Sequence, residues 1–110
     1  MISLIEQQKP AVAELCRRFR VHRLFLFGSA TGDQFREESS DLDFLVEMAD
    51  RQPTGAYADR YLGLADALEK LFERRVDLLT VQAIRNPYLQ REVEETRQLL
   101  YEGRGEEAAR

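Results

Sequence analysis

The run Leu24-Phe25-Leu26-Phe27, halted by Gly28, narrows the folds open to this chain more than any other feature. Four bulky apolar residues in a row, opened by Val21 and rich in strand formers, read as a buried strand over Val21–Phe27. Two further runs have the same character: Asp41-Leu42-Asp43-Phe44-Leu45-Val46-Glu47 and Val76-Asp77-Leu78-Leu79-Thr80-Val81. Helical rhythm fills the intervals. Ile5, Val12, Leu15, Cys16 and Phe19 recur close to i, i+3, i+4 between about Ile2 and Phe19, although Pro10 blurs the early part. Tyr57, Tyr61, Leu64, Ala65, Leu68, Leu71 and Phe72 share one helical face, preceded by the turn-like Gln52-Pro53-Thr54-Gly55. From Pro87, which suits a first helical turn, Tyr88, Leu89, Val93, Leu99, Leu100 and Tyr101 predict a closing helix ended by Gly103. The expected order is helix, strand, short helix or loop, strand, helix, strand, helix. That is an α/β domain with a small mixed sheet and helices packed on it.

A chain of 110 residues has room for one such domain. It is expected to span residues 1–103, with Arg104 to Arg110 a frayed tail because nothing apolar anchors it. The single cysteine, Cys16, cannot close an internal disulfide, and no charged-then-apolar leader opens the sequence, so the expected compartment is the cytoplasm. No apolar run approaches the ~20 residues of a membrane helix. A net charge of −4 argues against bulk nucleic acid as the main partner, since neutralising phosphates calls for a basic face. Clustered acid in a cation site would contribute to such a balance.

Buried strands should be nearly continuous apolar runs, so ionisable residues inside them are informative. Asp41 and Asp43 break the second run and, two apart, share one face about 7 Å apart. Asp77 breaks the third, just after Arg74-Arg75. If those strands are neighbours, three carboxylates converge, and like charges held that close call for a cation. An isolated Asp-x-Asp is more often a solvated strand face, and an isolated Asp77 a salt-bridge residue. The context that alters this is Gly28-Ser29, directly after a strand and followed by eleven residues and then the Asp-x-Asp. Gly28 lets backbone approach a phosphate, and Ser29 with the N–H groups of a helix start could hold phosphate oxygens.

The stretch Phe25-Leu26-Phe27-Gly28-Ser29-Ala30-Thr31-Gly32, followed by Glu38-Ser39-Ser40-Asp41-Leu42-Asp43-Phe44-Leu45-Val46, resembles the signature of the minimal nucleotidyltransferases of the DNA polymerase β superfamily. Val76-Asp77-Leu78-Leu79 sits where that family has its third carboxylate, so the likeness covers nearly the whole chain. Ala83-Ile84-Arg85-Asn86-Pro87-Tyr88, running into Glu94-Glu95-Thr96-Arg97, is similar to members paired with HEPN-domain toxins. The resemblance implies a polymerase-β-like fold, with Gly28 and Ser29 contacting the triphosphate of ATP. It also implies that Asp41, Asp43 and Asp77 hold two Mg2+ ions, Asp77 in addition activating an acceptor hydroxyl. The implied reaction moves AMP from ATP to a hydroxyl, here a tyrosine of a partner HEPN toxin, which makes the chain an antitoxin. Two alternatives stand beside it: an antitoxin that only masks the toxin, and a free-standing transferase acting on a small molecule. Oligomeric state, homo- or hetero-oligomer with the toxin, stays open. The sequence departs from the family where many relatives have an arginine soon after the Gly-Ser pair. Ala30 and Thr31 stand there, and the first base is Arg36.

Arg17 and His22 make an R-x4-H spacing like the ribonuclease motif of HEPN proteins themselves, but those are helical bundles and His22 falls at a strand start. With one His and one Cys, zinc lacks ligands. Cys16 is expected in the core, and Tyr57 and Tyr61 are expected to pack rather than stack on a base.

Overall fold

The computed structural model describes residues 3–31, 41–49 and 55–103, apart from the Ser29 side chain. Arg36, the Glu38-Ser39-Ser40 part of the motif, the turn residues 52–54 and the tail 104–110 lie outside the described residues. Helix α1 (Ser3–Arg18) leads into β1 (Val21–Phe27), a 3-10 turn (Gly28–Thr31) and β2 (Leu42–Met48). Helix α2 (Gly55–Phe72), β3 (Val76–Thr80), a second 3-10 turn (Val81–Ala83), α3 (Pro87–Thr96) and β4 (Gln98–Glu102) complete the chain. The sheet order is β3-β2-β1-β4. Strand β1 is antiparallel to both β2 and β4, whereas β2 and β3, joined across α2, are parallel. A mixed sheet with helices packed on it is thus the architecture.

Alternation along each strand separates two apolar layers. Leu24, Leu26, Leu42, Phe44, Val46, Val76 and Leu78 point to one face, where Ile5, Val12 and Cys16 of α1 and Leu64, Leu68 and Phe72 of α2 cover them. Phe44 is fully buried and its ring packs on Phe72, centroids 6.1 Å apart. The opposite face carries a smaller cluster, Phe25, Phe27 and Leu45, under Ile84 and Val93. A register shift between Val21 and Arg23 lets Val21 join the larger layer.

The helix ends follow local chemistry. Asn86 caps α3 by accepting a hydrogen bond from the Tyr88 amide at 2.8 Å, and Pro87 occupies the first turn, where a missing N–H is harmless. Left-handed residues stop the other two helices, Arg20 (φ 60°) after α1 and Glu73 (φ 53°) after α2. Helix α1 continues through Pro10.

One expectation is corrected. The closing helix stops at Thr96, and Gln98–Glu102 forms β4, paired antiparallel with β1. Arg97, at φ −59° and ψ 139°, has left helical geometry, and Leu100 and Tyr101 instead pack against the larger apolar layer. The unpaired side of β1 supplied a hydrogen-bonding edge that a helix could not satisfy.

Candidate active site

Because Leu42, Phe44, Val76 and Leu78 face the larger core, Asp43 and Asp77 must point the other way. The parallel pairing of β2 and β3 puts them in exact register, Asp43 opposite Asp77, on strands that lie about 4.8 Å apart. Asp43 is half-buried and Asp77 exposed. Asp41 lies one residue before β2, where the Leu42 amide already donates to the Arg75 carbonyl at 3.1 Å. The neighbouring strands foreseen for the three carboxylates are therefore in place.

Electrostatics marks the pair. Burial, then the charge of Asp77 and a hydrogen bond shared with it, push the Asp43 carboxyl up to about 6, with smaller contributions from Glu92 and Asp41. A carboxyl that resists ionising beside another carboxylate is suited to a divalent cation, which replaces the proton and neutralises both charges. Among the described residues, no three His, Cys, Asp or Glu side chains already stand in an arrangement that would hold a metal ion. Asp43 and Asp77 form a preset pair, and drawing Asp41 onto the same ion works against repulsion until a cation is present. The donor set, oxygens only, fits magnesium, and Asp41, Asp43 and Asp77 are the residues that could hold it.

Gly28 closes the site from β1. Its φ is +77°, a conformation that side chains disfavour, and a β-carbon there would come within 2.9 Å of Asp43 Oδ2. The backbone conformation favours glycine whatever the space, and any side chain would also have to push the Asp43 carboxylate aside. Its backbone is also held: the amide donates to Thr96 Oγ1 at 2.8 Å, and the carbonyl accepts from Thr31 Oγ1 at 2.7 Å. Gly28 thus contributes the space of its absent side chain, because its N–H is already engaged. Ser29 follows in the same turn. Ala30, next in the turn, is fully buried.

Sequence reasoning gave no site role to two residues, both on α3, although Thr96 lies in the stretch similar to HEPN-paired members. Thr96 grips the Gly28 turn, and Glu92, one helical turn earlier, acts by its charge on Asp43. The i, i+4 spacing puts the two on one helix face, but nothing in a single sequence connects that face to residue 28. The residues set aside stay outside the site. Burial pushes the Cys16 thiol up to about 12, so it is an inert core group. Tyr61 packs against the main core and its hydroxyl donates to the Leu78 carbonyl.

The nucleotidyltransferase domain family model matches residues 9–100. The chain belongs to that family. A Methanocaldococcus jannaschii protein named as a protein adenylyltransferase is 39% identical to it over 79 residues, 71% of this chain and 75% of the relative. A solved structure described as a minimal nucleotidyltransferase superposes with a TM-score of 0.67 at 31% identity, covering 84% of this chain and 89% of the other. A chain in the complex of a tri-AMPylated Shewanella oneidensis HEPN toxin with an MNT antitoxin shares the fold, with a TM-score of 0.56 at 21% identity over 96% of this chain and 81% of the other. This nucleotidyltransferase has the polymerase-β-like fold that its motif implied. Among the described residues, no helix is long and apolar enough to cross a membrane.

Proposed function

We propose that the chain is a magnesium-dependent adenylyltransferase that moves AMP from ATP to a hydroxyl, a tyrosine of a partner HEPN toxin, and so acts as its antitoxin. The observation that carries this reading is the in-register Asp43–Asp77 pair, with Gly28 so placed that a β-carbon there would meet the Asp43 carboxylate. Two ions bound by Asp41, Asp43 and Asp77 would supply charge neutralisation at the attacking and leaving oxygens. The protein's own groups account for the rest. Gly28 and Ser29 leave the triphosphate a close approach, and exposed Asp77 is open to an incoming acceptor in a way half-buried Asp43 is not. The acceptor oxygen bonds to the α-phosphorus, the bond to the bridging oxygen breaks, and pyrophosphate departs with the electron pair. The hydroxyl proton passes to the Asp77 carboxylate.

Support for a protein acceptor comes from the relative named as a protein adenylyltransferase and from the fold shared with a complex whose toxin is AMPylated. A domain this small also leaves little surface to recognise a second substrate alone. The unpaired, buried Cys16 thiol suits a reducing cytoplasm. The test is intact-mass measurement of the cognate HEPN protein after incubation with the chain, ATP and magnesium. Mass gains in whole AMP increments are expected. Stable complex formation without any gain would replace this reading with masking.

A further inference from the structure

We infer that Thr96 is a positioning residue for the nucleotide, because its hydroxyl holds the left-handed Gly28 turn in place beside the Asp43 carboxylate. The inference rests on the nucleotide-binding role proposed for that turn. Thr96 Oγ1 accepts the Gly28 amide hydrogen at 2.8 Å, across 68 positions of sequence, and donates to the Glu92 carbonyl at 2.7 Å. A hydroxyl has one hydrogen to give, so the donation to Glu92 turns a lone pair toward Gly28 and fixes the direction of the relay. On the other side of the same peptide, Thr31 Oγ1 donates to the Gly28 carbonyl at 2.7 Å. The residue that lies within a β-carbon's reach of Asp43 Oδ2 is therefore clamped at both its amide and its carbonyl.

Helix stability does not account for this arrangement. Thr96 is the last residue of α3, and a threonine bonded back to the i−4 carbonyl is neutral to slightly unfavourable for a helix. Nor is Thr96 a cap, since the Arg97 amide at the helix end is satisfied by the Val93 carbonyl at 2.8 Å. What the hydroxyl does secure is a buried amide that would otherwise lack a partner, in a left-handed turn beside the carboxylate pair. Without it the turn can shift, which either closes the space over Asp43 or opens it, and both displace a triphosphate.

The test is calorimetric titration of Mg·ATP into the wild type, Thr96→Val, Thr96→Ala and Thr96→Ser, each well below its melting temperature. Hydrogen exchange of the Gly28 amide would be followed by NMR alongside. Valine and alanine should weaken the Kd about tenfold, a change of about 1.4 kcal/mol, and expose the Gly28 amide to rapid exchange. Serine, which keeps the hydroxyl, should restore both. A merely structural threonine would lower the melting temperature and leave the Kd unchanged, and that result overturns the inference. Absence of Mg·ATP binding by the wild type would instead overturn the proposed function, and this inference with it. The wild-type titration alone therefore tells the two failures apart.

Discussion

The two faces of the sheet are built from the same strands and serve opposite ends. Under α1 and α2, alternate residues of β1, β2 and β3 form a continuous apolar layer in which Leu24, Leu26, Leu42 and Phe44 are fully buried. Across the sheet, the intervening residues make a shorter apolar patch, Phe25, Phe27 and Leu45, and then give way to Asp43 and Asp77. One face lowers the free energy of the fold, while the other holds two like charges that raise it. The difference teaches that a domain this small keeps a destabilising site by confining it to alternate positions of strands secured from behind.

The largest expected effect comes from breaking the secure face. Phe44→Ala removes a fully buried ring packed on Phe72 and should cost about 3–5 kcal/mol in urea denaturation. That is a large part of a small domain's stability. Ligand binding should fall only because folded protein becomes scarce, so a variant that stays fully folded but cannot bind Mg·ATP would show that the two faces are not separable in this way.

Asp77→Asn sharpens the comparison from the other face. Exposed at the sheet edge, it can lose its charge without disturbing the packed layer, and because that charge opposes Asp43 the metal-free melting temperature should hold or rise slightly. Transfer should fall by at least about 100-fold, about 2.7 kcal/mol of barrier, while Mg·ATP binding remains measurable. Protection of cells against the toxin should fall in parallel. Protection that survives the loss of transfer would make masking the mechanism, and unchanged transfer would leave Asp77 a structural strand residue.

Gly28→Val acts where the two demands meet. The positive φ imposes about 1–2 kcal/mol on any side chain, and the new β-carbon would collide with the Asp43 carboxylate. A folded variant, modestly less stable, that no longer gains thermal stability from Mg·ATP is the expected result. Normal stabilisation by Mg·ATP would remove Gly28 from the nucleotide site.

How far sequence could anticipate this division depends on which residues are asked about. Strands β1, β2 and β3 were legible because each is a short apolar run, and Asp43 and Asp77 stood out because they interrupt one. That the two carboxylates are neighbours was only conditional on the strand order, which no local pattern encodes. Strand β4 was misread because Leu100 stands seven residues after Val93 and so continues a helical stripe. The strand is only five residues long, too short for alternation to outweigh that rhythm. Thr96 and Glu92 were hidden for another reason: one matters through its hydrogen bond to Gly28 and the other through its charge near Asp43, both tertiary relations.

The smallest effect tests the cost of the site directly. Burial and the neighbouring Asp77 carboxylate raise the Asp43 carboxyl from its ordinary 3.8 to about 6 in the folded chain. Between those values the folded state holds a proton that the unfolded state has released, so stability falls as pH rises through this window and stays lower above it. Asp43→Asn cannot ionise and should escape that loss. The half-exposed carboxylate is screened by solvent, which limits the expected gain to about 1 kcal/mol at pH 7, shrinking toward zero near pH 4. The variant should therefore melt above the metal-free wild type at neutral pH and converge with it in acid. Saturating Mg·ATP should reverse the order, because only the wild type can exchange electrostatic repulsion for metal coordination. Thermal melts of both proteins across pH, with and without Mg·ATP, measure all of this. If Asp43→Asn is less stable than the metal-free wild type at every pH, Asp43 is a structural residue and the conflict between the two faces does not exist.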